Sequence, residues 1–163
     1  MGIGSNLGDR KFFCQRALWA LKKLPGVYLI KWSSLYLTPP VGFSSDRYFY
    51  NLVAEIKTSL SPWALLFSLW QIELANGRKR TGKVTDRSLD LDILLYEGAT
   101  FDSKLLSLPH QKLHERSFVL IPLVELLPHE KHPILNKTYE ELLAKRPPSE
   151  KRAIKILGPL CLE

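Results

Sequence analysis

Cysteine is nearly absent from this chain. Two thiols, Cys14 and Cys161, in 163 residues exclude a disulfide framework as the source of stability and predict a reducing compartment. Long apolar runs are missing too: "WALLFSLW" and "FVLIPLVELL" fall far short of the roughly 20 residues that a membrane-spanning helix needs. The start turns polar by Ser5, which predicts no signal peptide, no membrane partner and a cytoplasmic location. There is no internal repeat and no low-complexity segment. Acidic residues are the scarcer charge, 16 against 23 Lys and Arg, and the net charge of +7 favours an anionic partner: a nucleotide, a polyphosphate, a nucleic acid or a membrane surface. With 45% hydrophobic and 24% charged residues, the composition is that of an ordinary globular protein, and the length predicts one domain over 1–163.

What is there divides into alternating strands and helices. "MGIG" reads as a first strand and "SNLGD" as a turn whose Asp9 caps a helix. In that helix Phe13, Ala17, Ala20, Leu21 and Leu24 form the apolar stripe, and Pro25–Gly26 end it. Residues 27–38, "VYLIKWSSLYLT", predict one strand and 49–58 another, joined by a loop over 39–48. Ser61–Pro62 opens a second helix that stops near Asn76–Gly77; its predicted core stripe is Trp63, Leu66, Phe67, Trp70 and Leu74. A basic loop, 78–88, leads into a strand over 89–96. Strand, helix, strand, strand, helix, strand is the order of an α+β fold of the ferredoxin-like β-α-β-β-α-β type. Further on, the pattern predicts a loop and helix up to Pro128, a short helix near "TYEELLAKR", and "RAIKIL" as an edge strand.

The segment "DRSLDLDILLYEG" poses the chemical question. At period two, Leu89, Leu91, Ile93 and Leu95 share one face, while Asp90 and Asp92 share the other with Leu94 and Tyr96. Two carboxylates about 7 Å apart on a face that turns apolar repel each other and lose solvation. Either this is a solvated strand end, or it holds a divalent cation; Mg²⁺ favours one or two carboxylates plus substrate phosphates. The loop before it carries five Lys or Arg between Arg78 and Arg87. Such loops are commonly just solvated or bind nucleic acid, but beside paired carboxylates they also suit a triphosphate.

Other signals are weaker. "GRKRTGKV" fits G-x-x-x-x-G-K but ends in Val84 where a P-loop needs a magnesium-binding hydroxyl, and it follows a helix rather than a strand. "GIGSNLG" lacks the G-x-G-x-x-G spacing of a dinucleotide site. Glu73 falls on the apolar stripe of the second helix, so it either pairs with an arginine or contacts a ligand. "RYFYN" places Phe49, Asn51 and Val53 on one strand face, as core or as a platform for a flat heterocycle. His110 and His114 have i, i+4 spacing, but with no third ligand nearby a zinc site is not expected.

Taken together, "GSNLGD", "LYLTPPVG", "FYN", "QIELANGRKR", "DRSLDLDILLY" and "LPHQKLHERSFVLIPL" resemble the 6-hydroxymethyl-7,8-dihydropterin pyrophosphokinase family of folate biosynthesis, in the family's order and over about residues 2–127. The resemblance implies a three-layer α/β/α arrangement and transfer of the pyrophosphoryl group of ATP to the pterin hydroxymethyl oxygen, releasing AMP. It implies that Asp90 and Asp92 hold two Mg²⁺ ions, with Arg80 and Arg87 joining them in catalysis. The pterin would stack between Phe49 and Phe118, with Asn51 at its edge and Thr38, Pro39 and Val41 lining the pocket. Glu73, Arg80, Arg87, Ser107, His110, Gln111 and Arg116 would face ATP. Where the family usually has an aromatic residue and Gly-Pro before the arginine, this chain has Val84–Thr85–Asp86. The partners implied are those two small molecules, with a monomer expected and no nucleic acid.

Two rivals make distinct predictions. A nucleotidyltransferase also uses strand aspartates and two metals but releases pyrophosphate rather than AMP. An RNA-binding module on the same topology would suit the basic loop, yet no "G-F-G-F"-like string occurs and Asp90 and Asp92 would repel phosphate.

Overall fold

The computed structural model describes residues 1–162. Its elements follow one another as β1 (Gly2–Ser5), α1 (Arg10–Lys23), β2 (Val27–Trp32), β3 (Leu35–Thr38), β4 (Phe49–Thr58), α2 (Pro62–Ala75) and β5 (Asp90–Asp92). After a 3-10 turn at Leu113–Glu115 come α3 (Ser117–Leu126), α4 (Tyr139–Ala144), α5 (Pro148–Arg152) and β6 (Lys155–Gly158). The strands form one antiparallel sheet in the order β5, β1, β4, β3, β6, and β2 pairs the far end of β4.

Helix ends lie where the capping residues predict them. Asp9 accepts the amide of Phe12 to start α1, and Ser61, followed by Pro62, accepts that of Ala64 to start α2. Gly77, just past the end of α2, has φ +82°, a conformation that a side chain would strain. In the tail, Thr138 and Glu141 form a reciprocal capping box on α4. The edge strand foreseen in "RAIKIL" is β6, paired with β3, while α5 had no counterpart in the sequence reading.

Three predicted features are corrected. The strand over 27–38 is broken at Ser33–Ser34. There the Ser33 amide donates to the Val53 carbonyl (2.9 Å) and its hydroxyl accepts from the Val53 amide (3.0 Å), so a side chain takes over the ladder at the break. The strand over 89–96 is regular only at Asp90–Asp92, because its pairing with β1 ends at Gly2 opposite Asp92; beyond it the Leu94 carbonyl accepts from the His110 amide instead. The helix stripes are also rotated. In α1 the buried residues are Cys14, Ala17, Leu18 and Leu21; in α2 they are Leu65, Leu66, Leu69 and Glu73. Trp63, Phe67 and Leu74 are exposed. Hydrophobicity drew the α2 stripe onto its aromatics, but the sheet is packed by the slimmer leucines one position round the helix.

Two apolar clusters result. One joins α1, α2 and the sheet through Ile3, Leu18, Leu21, Leu52, Leu65, Leu69, Leu89 and Leu91. The other joins α3 and the tail through Leu94, Leu113, Leu120, Leu123, Tyr139 and Leu142. Full burial of one such leucine is worth about 1.5–3 kcal/mol. The tail is further tied to the start of α3 by Glu150, which accepts from Ser117 Oγ (2.7 Å) and pairs with Arg146 (2.8 Å). No helix among the described residues is long and apolar enough to cross a membrane.

Candidate active site

The alternation of β5 turns Leu91 into the core and leaves Asp90 and Asp92 on the opposite face. Across the ladder, Gly4 faces Asp90 and Gly2 faces Asp92, so no side chain of β1 stands opposite either carboxylate. Gly4 also makes room for its other neighbour: a Cβ there would lie 2.5 Å from Asn51 Oδ1. Asn51 is held by a hydrogen bond from its Nδ2 to Thr38 Oγ1 (2.6 Å) between β4 and β3.

The α2 stripe delivers Glu73, almost fully buried, to the same region. Its Oε1 accepts the Leu91 amide (2.7 Å) and pairs with Arg78 Nη1 (2.6 Å), while its other oxygen pairs with Arg80. Burial pushes the Glu73 carboxyl above its ordinary range, and the Leu91 amide and Arg78 oppose that push. Arg78 also contacts Asp90, and Arg87 Nη2 lies 2.7 Å from the other Asp90 oxygen. Burial would raise Asp90, but Arg87 and Arg78 outweigh it and hold the carboxyl below the usual carboxylate value.

Asp92 differs sharply. Burial, with the charge of Asp90 second, raises it to about 7. No side-chain hydrogen bond or ion pair reaches it among the described residues. His110 is lowered to about 4, first by burial and then by Arg116, so it is neutral at pH 7. Its Nδ1 accepts the Lys112 amide (3.1 Å), which leaves Nε2–H as a donor.

Two cavities meet here. The smaller, about 50 Å³, is lined by Thr38, Pro39, Val41, Phe49, Asn51 and Phe118, all six residues assigned to the pterin from the sequence. Arg87 fills part of it: its guanidinium lies 4.9 Å from the Phe49 ring centroid and 5.7 Å from that of Phe43. The larger, about 490 Å³, is lined by Glu73, Arg80, Ser107, His110, Gln111 and Arg116. Asp90, Asp92 and Arg116 line both. Arg87, assigned to the ATP side, lines only the smaller cavity. Ser107 and Gln111 both donate to Asp102, which presents them at the rim.

Sequence reasoning missed Arg78 and Phe43. Arg78 was one of five cations in an unpatterned loop, but it stands directly after the α2 stop signal, five residues beyond Glu73. That spacing was a usable signal. Phe43, in an irregular loop, packs edge-on to Phe49 with centroids 6.1 Å apart, and nothing local marks it.

An antiparallel sheet with a carboxylate pair at the junction of an arginine-rich cleft and an aromatic cavity defines a domain suited to polyanion and flat-ring ligands. The model of the family 7,8-dihydro-6-hydroxymethylpterin-pyrophosphokinase (HPPK) matches residues 1–128, and the chain belongs to that family. It is 40% identical to the 2-amino-4-hydroxy-6-hydroxymethyldihydropteridine pyrophosphokinase of Methylorubrum extorquens, over 91% of this chain and 93% of that one. With the protein of the same name from Bacillus subtilis it shares 41% identity over 77% of this chain and 75% of that one. It is also 40% identical over 90% of its length to the folic acid synthesis protein fol1 of Schizosaccharomyces pombe, of which it spans 20%. Among solved structures, an HPPK-DHPS crystallised in complex with substrates superposes with a TM-score of 0.78 at 14% identity, over 95% of this chain and 45% of that one. At that identity the likeness concerns the fold alone.

Proposed function

We propose that the two cavities hold the two substrates of this family's reaction and that Asp90 and Asp92 lie where they meet. As a member of the family the protein is an ATP-dependent pyrophosphokinase of folate biosynthesis. ATP lies along Glu73, Arg80, Ser107, His110, Gln111 and Arg116; the 6-hydroxymethyl-7,8-dihydropterin lies against Phe49 and Phe118, with Asn51 reading its edge. The observation that carries this reading is that Asp90, Asp92 and Arg116 are shared by both cavities. A strand order with β5 beside β1 and β4 beside both β1 and the β2–β3 edge supports the ferredoxin-like arrangement.

The donor set fits Mg²⁺: Asp90 and Asp92 offer two hard carboxylates on one face of β5, both lining the two cavities, and no side chain among the described residues bonds Asp92. Asp90 and Asp92 would hold two ions, which supply charge neutralisation to the phosphates when bound. The chain's own residues do the rest. The hydroxymethyl oxygen displaces AMP at the β-phosphorus, and Arg116 and Arg87 lie where charge builds on the transferring group. Neutral His110 donates Nε2–H to a phosphate oxygen without adding charge. The reading assigns no general base, and the rate comes from positioning and electrostatics. With Arg87 against Phe49 the aromatic cavity is narrow, and the guanidinium would give up the Phe49 face as the ring enters.

Incubation with Mg²⁺, ATP and the reduced pterin alcohol tests this. AMP and the pterin diphosphate should form together, and only when all three are present. Pyrophosphate release would favour the nucleotidyltransferase reading, and ADP would rule out pyrophosphoryl transfer.

A further inference from the structure

Asp86 stands near the end of the basic loop, and its side chain joins three separate segments. Its Oδ1 accepts from Asn6 Nδ2 (2.7 Å) in the β1–α1 turn and from Ser45 Oγ (2.6 Å) in the 39–48 loop. Its Oδ2 lies 3.7 Å from Arg47 Nε. Asn6, buried, completes the junction: its Oδ1 accepts the Arg87 backbone amide (2.8 Å) and its backbone N–H donates to the Arg87 carbonyl (3.1 Å). Ser45 Oγ, which donates to Asp86, also accepts the Arg47 amide (3.1 Å).

The position of Arg87 is thus determined from both sides. Its backbone is clamped by Asn6, and its guanidinium runs between Asp90 and the rings of Phe49 and Phe43. Phe43 belongs to the loop that Ser45 and Arg47 tie to Asp86. We infer that Asp86 is a positioning residue that couples the 39–48 loop to Arg87, so that Phe43 and Arg87, the two movable walls of the aromatic cavity, are set as one unit. The inference rests on the reading of that cavity as the pterin site only for its consequence on ligand affinity; the coupling itself is a property of the free protein.

The charge of Asp86 is well supported without metal or substrate. The Ser45 hydroxyl first, then Asn6, Arg47 and Arg87, hold its carboxyl below the usual aspartate value. The geometry needs an acceptor more than a charge: an amide oxygen at the same place would still accept from Asn6 and Ser45, whereas a methyl group would accept from neither. A merely structural role would loosen only the segment that carries the substitution and would leave pterin affinity unchanged.

The test uses hydrogen exchange on the whole ligand-free chain, comparing the parent protein with Asp86→Ala, Asp86→Asn and Ser45→Ala, and circular dichroism to verify folding. Asp86→Ala should speed exchange at least about tenfold at the Arg47 amide and at the Arg87 amide, while Asp86→Asn stays within about threefold at both. Ser45→Ala, which removes the tie to Asp86 from the side of the 39–48 loop together with the bond to the Arg47 amide, should also speed exchange at Arg87. Pterin affinity, measured with Mg²⁺ and a non-hydrolysable ATP analogue, should fall about tenfold in Asp86→Ala and be restored in Asp86→Asn, with nucleotide affinity within about twofold throughout. Faster exchange confined to the loop that carries the substitution would overturn the coupling, as would equal effects of Asn and Ala. If the parent protein bound nucleotide but no pterin, the assignment of the cavity would fail, and the exchange data would still decide the coupling.

Discussion

The two halves of the cleft are built by different means. The aromatic half is framed by strands: Phe49 and Asn51 project from β4, Thr38 from β3 and Gly4 from β1, in a register fixed by the sheet. The half lined by Glu73, Arg78 and Arg80 has one wall that belongs to no regular element, 78–88, held in place by ion pairs to a single buried carboxylate and to Asp90. The frame of the first is set by packing before any ligand arrives, and only the Arg87 guanidinium lies across it. The second is shaped by charge, and an incoming polyanion or cation competes for the same partners. The contrast repeats on β5, where Asp90 is neutralised by two arginines and Asp92, two residues on, has none.

That difference can be broken most forcefully at the strand itself. Asp90→Asn and Asp92→Asn should each lower turnover by at least about 100-fold, since even outer-shell partners of a metal cost about 10–100-fold. The double variant should be little worse than the worse single one, because residues acting as one unit are non-additive. Steady-state assays of AMP formation measure both.

In the charge-shaped half, the loop should lose exchange protection without ligand and gain it with nucleotide and pterin together. Arg87→Ala should then lower turnover by about 100-fold, the scale for losing one donor aimed at developing charge, while ATP affinity changes by less than about threefold. Separate determination of kcat and nucleotide Kd checks this. In the packing-shaped half, Phe49→Ala and Phe118→Ala should weaken pterin binding about tenfold and spare ATP. Equal losses for both ligands in a calorimetric titration would count against stacking.

The smallest effect concerns stability without metal. Asp92 keeps its proton in the native state up to about pH 7, whereas its ordinary value is 3.8. The folded state therefore binds more protons between those values, and this group's contribution to stability declines as pH rises through that window. In EDTA at pH 8, Asp92→Asn should raise the Tm by about 2–4 °C per kcal/mol regained, and the gain should vanish at pH 4. Asp90→Asn should instead lower the Tm at pH 8, because it leaves Arg87 without its carboxylate and takes from Arg78 one of its two. Paired thermal melts at the two pH values read out both signs.

How much of this was legible in the sequence follows the same division. Period two placed Asp90 and Asp92 on one face, and helix periodicity placed Glu73 inward, because both signals are local. The buried stripe of α2 was misread, since helical spacing fits Trp63, Phe67 and Leu74 as well as it fits Leu65, Leu66 and Leu69, and only the packing on the sheet chooses between them. Within the basic loop, composition could not separate Arg78, bound to two carboxylates, from Lys79. The role of Asp86 was out of reach, because Ser45 is 41 positions away and Asn6 is 80, and nothing in the local pattern links them.

The central claim is that Asp90 and Asp92 form the metal site at which the two substrates meet. Titration of a non-hydrolysable ATP analogue in Mg²⁺ and in EDTA, for the parent protein and the two Asn variants, tests it most directly. The account predicts that Mg²⁺ tightens nucleotide binding at least about tenfold in the parent protein and that this gain is lost in both variants. A Mg²⁺ gain that survives both substitutions would put the metal elsewhere and contradict the account.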